Sequence, residues 1–97
     1  MNFEDVFCSK VRLKILKLLS VYGQLHTSDI AVKLNVNYNL ALEHLVILVK
    51  EEVIEERFYG RTRYFRYTDS RKSKVVTGLF DIWQKKGNHK PENTTIT

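Results

Sequence analysis

Apolar residues return at helical spacing from the start of "SKVRLKILKLLSVYG", where Val11, Ile15, Leu18, Leu19 and Tyr22 share one face. Lys10, Lys14 and Lys17 lie on another face, and Gly23 is placed to stop the helix. Phe3, Val6 and Phe7 either extend this helix upstream, with Asn2 as its cap, or stand apart from one that begins at Ser9. "QLH" follows as an extended link. "TSDIAVKLN" predicts a two-turn helix, capped by Thr27 or Ser28, that buries Ile30, Ala31 and Leu34. Asn35 and Asn37 bracket Val36 in a tight turn, because asparagine tolerates left-handed backbone and caps helices. The next helix runs from about Tyr38 to Lys50.

The period then changes. In "VIEERFYGRTRYFRYT" two β-rich runs flank Gly60, the pattern of a hairpin with a glycine-bearing loop. Phe65 and Tyr67 share the inward face, and Tyr64 and Arg66 point the other way. From about Ser70 to Lys86 a final helix sets Val76, Leu79, Phe80 and Trp83 on one stripe, widened by Val75 and Ile82. "GNHKPENTTIT" carries no periodicity and reads as a frayed tail, 87–97, after a single domain spanning 1–86. The fold class is α+β, mostly helical.

Charge adds a location. The 97-residue chain has a formal net charge of +5, which favours a polyanionic partner. Arg57, Arg61, Arg63, Arg66, Arg71, Lys72 and Lys74 crowd the hairpin and its exit against Asp69 alone. Just upstream, Glu51, Glu52, Glu55 and Glu56 form an acidic cluster expected to repel phosphate from the hairpin's base. With 43% hydrophobic residues the chain can build a small core without disulfides or metal. Its single cysteine, Cys8, has no partner for an internal disulfide, and three scattered histidines offer no zinc-ligand spacing. A reducing, cytoplasmic location is expected, since no signal-peptide pattern and no run of membrane-spanning length occur.

Helix, short helix, tight turn, helix and basic hairpin is the order of a winged helix-turn-helix. "SKVRLKILKLL" resembles the first helix of ArsR-type prokaryotic regulators, with an arginine followed by an Ile-Leu pair and further leucines. "TSDIAVKLNVNYNLALEHLVILVKEEVIEER" resembles their helix-turn-helix, including the His44-Leu45 pair and Leu48, and "YGRTRYFRYT" is similar to their wing. The resemblance covers residues 9 to 69. It implies a double-stranded DNA-binding transcriptional regulator whose second helix-turn-helix helix enters the major groove, with the wing on the backbone or minor groove. Carried over by position, the groove-facing residues are Asn37, Tyr38, Asn39, Leu42 and Glu43. Asn37 or Asn39 would pair with adenine or bond phosphate, and Glu43 would accept from cytosine N4. Arg61 and Arg63, with Arg57 and Arg66, would reach phosphates or a narrow minor groove.

Two departures from that family matter. Leu42 stands where a small polar residue is usual, and Val46 and Val49 stand at charged positions. These three form a second apolar stripe beside the core stripe of Ala41, Leu45 and Leu48. Burial within the chain is the plainer reading; if exposed, the stripe would suit a protein-interaction module instead. The Cys-x-Cys pair of metal-responsive members is also missing, and the last helix offers only Asp81, so neither metal nor cofactor is expected. Cys8 reads as a small buried hydrophobe, His44 as a packed, hydrogen-bonded residue, and His26 as solvated. No paired carboxylates, nucleophile with a base, or phosphate-binding glycine loop argue for an enzyme. The rings around the wing show no obvious base-stacking sheet of the kind RNA binders use. Finally, Val75, Val76, Leu79, Phe80, Ile82 and Trp83 exceed what one face of a helix needs to cover, which predicts a symmetric homodimer through that helix.

Overall fold

The computed structural model describes residues 9–88, and the side chains of the last helix as far as Ile82. Cys8, the apolar residues before it, His89, the Trp83 side chain and the tail beyond Asn88 lie outside the described residues.

Helix α1 spans Lys10–Tyr22, β1 Gln24–His26, α2 Thr27–Leu34 and α3 Tyr38–Lys50. Strands β2, Ile54–Tyr59, and β3, Thr62–Tyr67, lead into α4, Arg71–Asn88. The fold is mixed, mostly helical, with one antiparallel sheet ordered β1-β3-β2.

Local chemistry marks most boundaries. Ser9 caps α1 by accepting from the Arg12 amide, so the helix begins there. Gly23 closes it at φ 82°, a positive-φ conformation that glycine adopts without a Cβ penalty, and its amide donates to the Leu19 carbonyl. Between α2 and α3 the two asparagines divide the work as expected. Asn35 takes the left-handed C-cap at φ 56°, and the Asn37 carboxamide accepts from the Leu40 amide at 2.7 Å. The start of α2 differs from expectation. Its N-cap is His26, without a side-chain bond, and Thr27 is instead buried with its hydroxyl unpartnered.

"QLH" is a true strand and not a link. Leu25 lies opposite Phe65 and His26 opposite Tyr64, so β1 forms an edge of the sheet. Three residues are too few to show a period, and the pairing partner lies some forty positions away.

One core joins the layers. Ile15, Leu16 and Leu19 of α1, Ile30 of α2, and Ala41, Leu45 and Leu48 of α3 pack with Ile54 and Phe65 of the sheet and Val76 of α4. Phe65 is fully buried, and the Tyr67 hydroxyl donates to the Leu16 carbonyl at 2.6 Å, tying β3 to α1. Burial pushes the Tyr67 pKa well above its ordinary value of 10.0. Leu16 takes the buried place that the sequence pattern assigned to Tyr22; Tyr22 is exposed, with the Lys33 ammonium 4.7 Å above its ring.

The turn after α3 is clamped to the far end of the wing. Glu52 sits at φ 65°, and its carbonyl accepts from the Thr68 and Ser70 hydroxyls, while Lys72 donates to the Glu51 carbonyl. Hence α3, the wing and α4 meet at one junction.

The last helix divides its apolar residues between two faces. Val76 is buried in the chain's own core and Phe80 packs partly against it. Val75, Leu79 and Ile82 are exposed at 48%, 49% and 61% on a separate stripe with i, i+4, i+7 spacing. The single stripe of Val76, Leu79 and Phe80 read from the sequence is therefore two.

Candidate nucleic-acid interface

Helix α3 is anchored on one side and open on the other. Ala41, Leu45 and Leu48 are fully buried, whereas Asn39, Glu43, Val46 and Lys50 are exposed along the opposite face. Asn37, Tyr38 and Asn39 project at its N-terminal end, with Tyr38 47% exposed. The exposed end faces a shallow depression lined by Ser28, Val32, Asn35 and Tyr38, between α2 and α3. The Asn37 carboxamide is already engaged as the cap of α3 through its oxygen, which leaves its NH2 group as donor.

Of the second apolar stripe, Leu42 and Val49 are half-buried against the core, and Val46 alone is exposed. Leu42 thus serves packing more than it serves a groove, and no continuous apolar strip is left for a protein partner on this helix.

Pairing on the wing redistributes its charge. Glu55 accepts from Arg66 at 2.7 Å and from Arg57 at 3.2 Å, one carboxylate oxygen serving both guanidinium groups. The Arg66 hydrogen bond holds the Glu55 carboxyl below its ordinary pKa, reinforced by Arg57, and Glu55 raises that of Arg66 in turn. Glu56 pairs with Arg63, whose guanidinium also lies 6.0 Å from the Phe58 ring and 5.8 Å from the Phe65 ring. Glu51 pairs with Lys72 at 3.7 Å and Asp69 with Lys74 at 3.3 Å. The acidic cluster therefore partners the basic one instead of standing apart from it. Arg61, exposed beside Gly60 at the tip, is the wing arginine without an ion pair among the described residues. Gly60 itself turns at φ 65°.

His44 lies on the flank of α3 that meets α1. Its Nδ1 accepts from Arg12 Nε at 3.2 Å. Burial, then the Arg12 charge, lower its pKa below 6.5 against an opposing pull from Glu43. His26 is not simply solvated: its Nε2 lies 3.1 Å from Asp29 Oδ2, and its ring meets Tyr64 edge-on at 5.7 Å.

Known structures share this fold. The chain is similar to the transcriptional repressor BigR from Xylella fastidiosa, with a TM-score of 0.74 at 17% identity over 95% of this chain and 85% of that one. It is also similar to residues 1–100 of Mb0332 from Mycobacterium bovis, a homodimeric winged helix-turn-helix DNA-binding domain and possible ArsR-family regulator. There the TM-score is 0.71 at 24% identity, over 97% of this chain and 82% of that one. A crystal structure of a 1–100 fragment of a possible transcriptional regulatory protein from Mycobacterium bovis gives 0.67 at 26% identity, over 89% and 87%. The chain has the winged helix-turn-helix fold. The resemblance to ArsR-type regulators extends from sequence motifs to structure. No family model matches the sequence, and no curated protein does.

Within the winged helix-turn-helix, α2 and α3 form the helix-turn-helix and β2–β3 the wing. Four of the five groove-facing positions carried over from the family, Asn37, Tyr38, Asn39 and Glu43, are exposed, and Leu42 is the exception. Lys50, not among those positions, is exposed on the same face as Asn39, Glu43 and Val46, as helical spacing requires. Ion pairing of the other wing arginines had no sequence signal, because Glu55 meets Arg66 only through the hairpin register. Among the described residues no group of His, Cys, Asp or Glu is placed to hold a metal ion, and no helix is long and apolar enough to cross a membrane.

Proposed function

We propose that the chain is a sequence-specific, double-stranded DNA-binding transcriptional regulator acting as a homodimer. The carrying observation is the open N-terminal half of α3, where Asn37, Tyr38, Asn39 and Glu43 project together from a helix locked to the core on its other side. Such a helix presents donors and acceptors to base edges in the major groove with little loss of side-chain freedom in its supports. Arg61 at the wing tip supplies the first phosphate or minor-groove contact, and Arg63, Arg57 and Arg66 contribute as phosphates compete for their carboxylate partners.

The exposed stripe of Val75, Leu79 and Ile82 supports the dimer, because a second copy of α4 would cover it symmetrically. Two copies of α3 would then face half-sites about one helical turn apart, roughly 10 base pairs. The operator is a short inverted repeat.

Anisotropy of a labelled random duplex, titrated with protein at several salt concentrations, tests this reading. Binding should weaken with salt by about 0.9 log units per log unit for each phosphate contact, with a shallower slope for Arg61→Ala, Arg63→Ala. Equal binding by parent and double variant would sink the proposal.

A further inference from the structure

The outer face of the sheet carries a row of rings that the duplex-binding reading does not use. Alternation along the strands puts Gln24 and His26 of β1, Thr62, Tyr64 and Arg66 of β3, and Glu55, Arg57 and Tyr59 of β2 on the side away from Leu25, Phe65 and Ile54. Across it, the His26 ring meets Tyr64 at 5.7 Å and the Tyr64 ring meets Tyr59 at 5.3 Å, each nearly perpendicular. The wing's rings, which the linear sequence shows as an unordered cluster, thus line up across all three strands.

Cross-strand aromatic pairs stabilise a sheet, and that role accounts for Tyr64. It does not account for Tyr59, which stays 54% exposed, or for the charge beside the row. Arg57 lies directly opposite Tyr64 in the strand register, and Arg66 sits two residues along β3 from Tyr64 on the same face. Both guanidinium groups are held by the single Glu55 carboxylate, which fixes their positions next to the rings while leaving their remaining N–H donors free for other acceptors. Flat rings for bases, flanked by positioned cations for a backbone, form the recognition chemistry of an unpaired strand.

We infer that this face binds single-stranded DNA, with bases stacking on Tyr59 and His26 at the two ends of the row and phosphates meeting Arg57 and Arg66. The rings are separate from the exposed end of α3, and Arg57 and Arg66 are shared with the wing's proposed duplex contacts, so one chain carries a duplex-reading helix and a strand-binding sheet. The row ends in the exposed Tyr59 and the part-exposed His26, which sets its capacity at two or three nucleotides. Preference among bases is weak, because every base has a π-face.

The test measures anisotropy of a labelled twelve-nucleotide thymidine strand with the full chain, using the parent, Tyr59→Phe, Tyr59→Ala and His26→Ala. Circular dichroism verifies that each variant is folded, and a uridine strand and a random duplex of equal length are titrated in parallel. The parent and Tyr59→Phe should bind the thymidine strand alike, Tyr59→Ala about tenfold more weakly, and His26→Ala severalfold more weakly. Duplex affinity should be unchanged in His26→Ala. Loss of duplex binding alone would overturn the proposed regulator and leave the strand site standing. The strand site is overturned by absence of strand binding, by equal binding of the parent, Tyr59→Ala and His26→Ala, or by tighter binding of the uridine strand.

Discussion

Arg12 Nε donates to His44 Nδ1 at 3.2 Å, a side-chain bond that links α1 to the flank of α3. A neutral imidazole is required for that bond, because Nδ1 must accept, and the proton therefore resides on Nε2. The folded pKa of His44 lies below 6.5, lowered by burial and by Arg12. In the window between the unfolded value and the lowered folded one, the unfolded chain binds a proton that the folded chain refuses. Stability from this group is thus complete above pH 6.5 and is lost as the pH falls through that window. Melting temperature measured from pH 7.5 to pH 5 should decline in the parent, and His44→Gln should flatten the decline.

Glu55 restrains Arg57 and Arg66, so removing its charge should free both for phosphate. Glu55→Gln is expected to bind random duplex more tightly at low salt, with the salt slope steeper by about 0.9 for each arginine released. Anisotropy titrations of parent and variant over the same salt series decide it; an unchanged slope would mean that the pairs persist on DNA or lie away from it.

The hydroxyl of Tyr67 is the tether between β3 and α1. Tyr67→Phe keeps the packed ring and removes the donor, leaving the Leu16 carbonyl without that bond. A loss of about 1 kcal/mol is expected, seen as a lower urea midpoint with an unchanged m-value. Since burial raises the Tyr67 pKa, the neutral form is the one the fold favours. Its contribution is intact below pH 10 and falls as the pH climbs beyond, so the parent should lose stability in strong alkali more steeply than Tyr67→Phe.

Leu79 lies at the centre of the exposed stripe of α4. In the proposed dimer Leu79→Asp places a carboxylate on the two-fold seam, where its image repels it. Sedimentation should then report a monomer of unchanged helical content, and affinity for an inverted-repeat operator should drop by on the order of a hundredfold through lost avidity. A parent that already sediments as a monomer at tens of micromolar would remove the dimer from the proposal.

Local rules written in the linear sequence account for most of the elements. Helical spacing placed α1 and α3, Asn35 and Asn37 the turn, and Gly60 the hairpin, because backbone conformation and capping depend on neighbours within four residues. The exposed positions of α3, Asn37, Tyr38, Asn39 and Glu43, came instead from the family resemblance, which also included the half-buried Leu42. Local rules failed where partners come from afar. Tyr22 and Leu16 both fit a helical stripe, and only the position of β3 and α4 decided that Leu16 is buried and Tyr22 open. Thr27 fits a cap by sequence, yet it is buried with its hydroxyl unpartnered.

By itself, then, the sequence determined the order of helices and hairpin, their boundaries near Gly23 and Asn37, and the concentration of basic residues on the wing. The tertiary structure decided which of those charges remain available and which rings share a surface. Among the described residues Arg61 is left without an ion pair while Arg57, Arg63 and Arg66 are held, and His26 reaches Tyr64 from thirty-eight positions away. Ion pairs and ring contacts act over a few ångströms of space, and strand register, which long-range packing sets, brings such residues together.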